Sequence, residues 1–277
     1  MKTFILIAIN VICVHCAQAQ PASSPFSLRY AGIGTYSQNF IDVFSFVNNQ
    51  AALSHITEAT AGVLSEVPFM LKELKRYEAV IALPLKQGTA GITAGYAGYK
   101  NYSQSQLGVA YSRTLGQKAD LGVEINYHVI SIQGYGNAAA ITFQVGSHFH
   151  LTEKLIVGSH VYNPVGGRFG KSSHEKIPSV YTIGLGYEAS DKLFTSAAIT
   201  KQEDKSIDVN VGLHYAFVKQ FFARTGISSL SGNWFFGVGL IWENFRTDVA
   251  ATWHPQLGFT PAFMIIFKMK ENKPEQE

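Results

Sequence analysis

The side chains with the most chemistry to offer are nine histidines and a scatter of carboxylates. In the stretch His148-Phe149-His150, strand alternation would put both imidazoles on one face. His128 and His160 fall in flanking segments of similar pattern. Such a set carries the right donors for a transition metal. No H-E-x-x-H or comparable carboxylate-bearing motif accompanies it, however. The histidines are therefore read as hydrogen-bonded interior residues, and no metal site is expected. A covalent hydrolase needs a nucleophile within reach of a base. Ser147 and His148 are adjacent, so in a strand they point to opposite faces, and no G-x-S-x-G is present. No catalytic residue is assigned, and the chain is read as a non-enzyme without a cofactor. The Gly-rich, basic stretch 163–176 lacks phosphate-loop spacing. It reads as a surface loop turning on Pro164 and its glycines, or as a loop folded into a mouth or against a partner.

The elements that must position these residues are strands. From about residue 57 to 267, segments of roughly ten residues alternate with turns. The pattern predicts fourteen strands, near 57–65, 76–84, 88–98, 104–113, 120–130, 138–149, 155–162, 179–188, 193–201, 206–216, 221–228, 233–242, 245–253 and 258–267. In the fifth, Leu121, Val123, Ile125 and Tyr127 share one face, opposite Gly122, Glu124, Asn126 and His128. In the tenth, Val209, Val211, Leu213 and Tyr215 oppose Asp208, Asn210, Gly212 and His214. One face is long and greasy; the other is small or polar.

Composition selects between a soluble β protein and a membrane barrel. Charged residues make up 15% of the 277-residue chain and hydrophobic residues 47%. A solvated sheet face would carry more charge. Aromatics such as Tyr77, Tyr127, Trp234, Trp242 and Trp253 gather near strand ends, where barrels place their interfacial girdles. The expected fold is therefore all-β: a 14-stranded antiparallel transmembrane barrel facing outer-membrane lipid. A net charge of +3 and the lack of a basic run exclude a nucleic-acid partner. Short turns at 86–88, 117–119, 152–154, 190–192, 218–220 and 243–244 belong on the periplasmic side.

Residues 1–19 have the charged start, short apolar core and Ala17-Gln18-Ala19 ending of a cleaved export signal. Both cysteines, Cys13 and Cys16, lie within it. Residues 20–56 show no sustained alternation but carry apolar surface, so they are expected to fill the barrel as a plug. The barrel spans 57–267, and 268–277 is a polar tail. Inward-facing polar candidates are Arg76, Glu78, Glu124, His128, His148, His160, Asp208, His214, Arg246 and Asp248, with Glu58, Glu188 and Arg224. Opposite charges among them are expected to pair across strands. Gly91, Gly95 and Gly98 of the third strand mark a candidate wall kink.

The plug segment carries Arg29, Gly32 and Gly34, then Asp42, then Asn49-Gln50-Ala51-Ala52-Leu53. This resembles the start of the FadL/PorV-like superfamily of outer-membrane barrels, particularly its PorV/PorQ-type Bacteroidota members. There an Arg-x-x-Gly-x-Gly stretch and an Asp precede Asn-Pro-Ala-x-Leu; here Gln50 replaces the proline. The resemblance implies a hatch inside a 14-stranded barrel. It also implies one of two roles: binding secretion-system (type IX) or other outer-membrane proteins, or passing small hydrophobic molecules through a wall-connected pocket. The expectation placed first is the secretion- or assembly-associated barrel, with the conduit as the alternative and an outer-membrane enzyme as the second alternative.

Overall fold

A computed structural model of the chain describes residues 29–169, 176–230 and 232–269. The expected leader, residues 20–28, part of the long loop and most of the tail lie outside these.

Fourteen strands form: β1 (Thr60–Glu66), β2 (Arg76–Leu85), β3 (Gly88–Tyr99), β4 (Tyr102–Leu115), β5 (Ala119–Ile132), β6 (Gly136–Thr152), β7 (Leu155–Tyr162), β8 (Val180–Ser190), β9 (Leu193–Gln202), β10 (Asp208–Val218), β11 (Phe221–Ser228), β12 (Trp234–Trp242), β13 (Phe245–His254) and β14 (Gly258–Lys268). Each pairs antiparallel with its chain neighbours, and β14 pairs with β1 from Thr60↔Lys268 to Glu66↔Ala262. The ring is closed, so no strand stands at an edge over its whole length. The expected segments are matched closely. The first strand starts at Thr60 rather than 57, although the Ala59 carbonyl still accepts from the Met269 N–H (2.7 Å). The tenth runs from Asp208 to Val218 rather than 206–216.

The alternation sorts residues as expected, with the greasy side out. Leu107, Val109, Val123, Ile125, Ile183 and Val249 are exposed, while Glu124, Asn126 and Asp248 on the opposite face are buried. Among the described residues no helix is long and apolar enough to cross a membrane. The outer belt of Leu, Val, Ile and Phe would be costly in water and suits hydrocarbon.

The wall is continuous where a kink was expected. β3 pairs with both neighbours through Gly91 and Gly95 without a register shift. Gly91 faces inward, where a side chain would meet Leu53 and Phe46 at 3.0–3.1 Å. Its missing side chain makes room inside rather than bending the wall. Register shifts occur instead near short turns, at His150/Thr152, Glu188/Ser190 and Ala216/Val218. A second irregularity lies at the opposite end. β6 pairs with β7 only over Gln144 to Thr152, so its first half, from Gly136, has no strand on that side. The described ends of the loop lie there: Asn163 N–H donates to the Phe143 carbonyl (2.7 Å), and Phe169 packs with Ile130, Ala140, Tyr162 and Ile177. Residues 170–175 lie outside the described residues.

Residues 30–56 lie against the inner face. They form a 3-10 turn (Ala31–Tyr36), α1 (Ser45–Asn48) and another 3-10 turn (Gln50–His55). Val43, Phe44, Phe46 and Leu53 build the apolar core with Leu64, Val80, Ala82, Ala110, Met264 and Ile266 of the wall. The lumen of this barrel is therefore its hydrophobic core. The aromatic content of a segment with no strand pattern follows from that.

Candidate functional site

Inner-face residues and the N-terminal segment meet in three polar clusters. The first is built on Asp42. The Phe44 N–H donates to its Oδ1 (3.0 Å), and its own N–H donates to Ser45 Oγ, fixing the carboxylate at the start of α1. Oδ2 then takes Arg224 Nη1 at 3.1 Å from β11 and Arg246 Nη1 at 3.0 Å from β13. Arg246 also forks onto both oxygens of Asp248 (2.8 and 2.6 Å), and Tyr30 donates to the same carboxylate. Arg224 Nε donates to His214 Nδ1, and both guanidinium groups lie over the Phe222 ring. Burial opposes ionisation of Asp42, yet Arg246 and Arg224 beside it hold its carboxyl below the usual range.

The second cluster is a cradle on Glu188 of β8. Its Oε1 accepts from Ser37 Oγ (2.6 Å) and from the backbone N–H groups of Gln38 and Asn39 (2.7 and 3.0 Å). Just above it, the Tyr36 ring occupies space that a side chain at Gly184 would need.

The third cluster is uncharged on the segment's side. Gln50 is fully buried and donates to Glu124 Oε2 and Gln144 Oε1, both at 3.0 Å. Thr93 donates to the other Glu124 oxygen (2.9 Å), and His160 Nε2 lies 2.9 Å from Gln144 Oε1. Asn49 caps the following turn by accepting from Ala51 N–H, and its amide donates to the Ser147 and Ser159 carbonyls. Beneath Gln50 the wall residue is Gly122. A side chain there would run into the Gln50 backbone and approach Ala51 N to 2.6 Å.

The ten polar candidates face inward, and only some of them make the expected cross-strand ion pairs. Arg246 and Asp248 pair along one strand, and Arg76 pairs across to Glu66 at the loop end (3.1 Å). Asp208 accepts from Ser228 and Leu230 and pairs with Arg29 of the segment at 3.1 Å. His128 lies 2.9 Å from Thr142 Oγ1. Glu78 is buried on β2. His148 has no hydrogen-bond partner at either ring nitrogen. Gly34 packs against the Phe40 carbonyl, Gly32 faces Asn48, and Gly98 has φ +112°. Ala51 and Leu53 are fully buried. Sequence reasoning missed Tyr30, Ser37, His55 and Asp120, and it took Gln50 for a lost proline. For Asp120 the signal was available: counting outward from the β5–β6 turn at 133–135 pairs it with His148.

The segment separates two cavities. One of about 260 Å³ lies toward the longer loops, lined by Ile33, Tyr36, Val47, Tyr162, Val180, Val211 and Phe235 together with Asp208 and Thr200. The other, about 380 Å³, opens toward the short turns and is lined by Phe40, Ile41, Val43, Ile56, His214, Phe222, Arg224 and Arg246.

The closed 14-stranded antiparallel barrel is similar in fold to solved hydrocarbon channels. The Pseudomonas putida toluene transporter TodX superposes with a TM-score of 0.63 at 11% identity, over 89% of this chain and 99% of that one. The CymD monoaromatic hydrocarbon channel gives 0.61 at 12% identity, covering 88% and 99%. A Pseudomonas aeruginosa FadL homologue gives 0.57 at 11% identity, covering 86% and 96%. No family model matches the sequence, and no curated protein matches it by sequence.

Proposed function

We propose that this chain is an exported outer-membrane barrel that passes small hydrophobic molecules, with residues 29–56 as its plug. The observation that carries the reading is a pair of cavities on opposite sides of one buried segment, each lined by apolar and polar groups together, in a barrel with the fold of hydrocarbon channels. A solute entering from the loop side would meet Tyr36 and Val47, and the segment must shift for it to pass. The part of the wall where β6 lacks a strand neighbour adjoins the same cavity at Tyr162 and Val180, and favours a side entrance there rather than at β3. Ile33, Tyr36, Val47, Val211 and Phe235 on one side, and Phe40, Ile41, Val43 and Phe222 on the other, give an apolar solute surface to lie against. The secretion-partner reading draws no support from the structures matched, which are channels, so the conduit takes first place.

Uptake of radiolabelled toluene by cells expressing the chain, against cells carrying an empty vector, tests this. Several-fold faster toluene uptake with unchanged uptake of a sugar is expected. Equal toluene uptake in both strains would sink the reading.

A further inference from the structure

We propose that His55, Asp120 and His148 form a binding site for a divalent transition-metal ion of the zinc class, joining the end of the N-terminal segment to the wall. Each offers one donor atom, and the three atoms lie within 4.8 Å of one another. Metal–nitrogen and metal–oxygen bonds of roughly 2.0–2.2 Å place ligand atoms about 3.3–3.5 Å apart, so closure by about an ångström is needed. Imidazole rotation supplies a movement of that size.

The donors come from three elements. His55 ends the second 3-10 turn, while Asp120 of β5 and His148 of β6 are directly paired cross-strand residues. His55 Nε2 already lies 2.9 Å from Asp120 Oδ2. The same oxygen takes His150 Nε2 at 2.6 Å, which orients the carboxylate as outer partners orient metal ligands.

The second observation is His148. It is fully buried, it reaches into the cluster, and neither ring nitrogen has a protein partner. A buried imidazole with two idle nitrogens costs free energy wherever it has no use. Lone-pair donation to a metal would give it one. Two imidazoles and a carboxylate suit zinc, cobalt, nickel or copper rather than magnesium or calcium. His55 and His150 keep 14–16% of their side-chain surface, so an ion has a way in from the short-turn end. The site is independent of any solute carried by the barrel.

The test uses the full barrel purified from outer membranes without a polyhistidine tag. Titration with Co2+ should give one equivalent bound per chain with a visible ligand-field band, displaced by Zn2+. His148→Gln and His55→Gln should each weaken binding at least 100-fold, and His150→Gln about 10-fold. Heat-modifiable electrophoretic mobility checks that each variant is folded. Should a variant fail that check, Cu2+ bound to the wild-type barrel decides, with nitrogen couplings expected in its paramagnetic resonance spectrum. No stoichiometric binding, binding unchanged in folded His148→Gln and His55→Gln, or a copper spectrum without nitrogen couplings overturns the proposal.

Discussion

Against β11 and β13 the N-terminal segment is held by charge: one carboxylate, Asp42, takes two arginines that are themselves stacked on Phe222. Against β5 and β6 the same segment offers uncharged groups and close approach, with the Gln50 amide between the Glu124 carboxyl and the Gln144 amide and the backbone resting on Gly122. The charged contact is strong while intact and costly when halved, because a buried guanidinium left without its anion cannot recover its hydration. The neutral contact is less sensitive to chemistry and more sensitive to volume. One segment is thus secured by two mechanisms that fail under different perturbations.

The largest effect should come from Asp42→Ala. Stranding Arg224 should cost about 3–5 kcal/mol of docking, seen as a jump in planar-bilayer conductance while the barrel stays folded. Conductance unchanged from wild type would mean that the arginines are adequately satisfied by His214 and Asp248, and the contrast between the two sides would be lost.

Acid should imitate that change more gently. The Asp42 carboxyl titrates lower in the folded barrel than in the unfolded chain, so docking is fully present above the ordinary carboxylate range and lost as pH falls through the folded value. The surrounding groups are Arg224, Arg246, Asp248, His214 and Tyr30. Conductance should stay flat from neutral pH to about pH 4 and rise only below it; a rise beginning near pH 6 would point to a histidine instead.

On the neutral side, Gly122→Val should lift the Gln50 turn at about 1–3 kcal/mol, the usual range for overpacking. Protease cleavage within 49–56 of the folded barrel reads this out. Combined with Asp42→Ala, the change should be non-additive if the segment docks as one body. Strict additivity would show two independently seated halves. The smallest effect belongs to Lys176→Ala. It removes an exposed pair with Glu203 in the outer loop, and melting should shift by less than about 1 kcal/mol.

Much of the fold was legible because period two is a local signal. Leu121 through Tyr127 announce their outward face without reference to any other strand, and the short turns at 117–119 and 190–192 fix the hairpins. The segment's burial was legible from Phe44, Phe46 and Leu53 in a stretch with no strand to bury them. Contacts between segment and wall were not, because Asp42 meets residues about two hundred positions away and nothing local encodes that meeting. Gln50 was misjudged for a related reason: set against a proline motif it reads as a loss, whereas its amide addresses two wall residues. The β3 glycines show the opposite error, since a missing side chain bends a strand in one setting and admits a neighbour in another.

The Asp42 clamp also carries a consequence for how the molecule is made. The aspartate precedes every strand, while the arginines arrive on β11 and β13, among the last to be laid down. Loop closure over such separations is slow, so the clamp cannot form until the ring is nearly complete. A barrel that shuts without the segment inside leaves the buried Arg224 guanidinium facing no anion and Arg246 with Asp248 alone. Correct biogenesis and correct plugging are in this way a single event, and a misassembled ring is marked by its own unpaired charge.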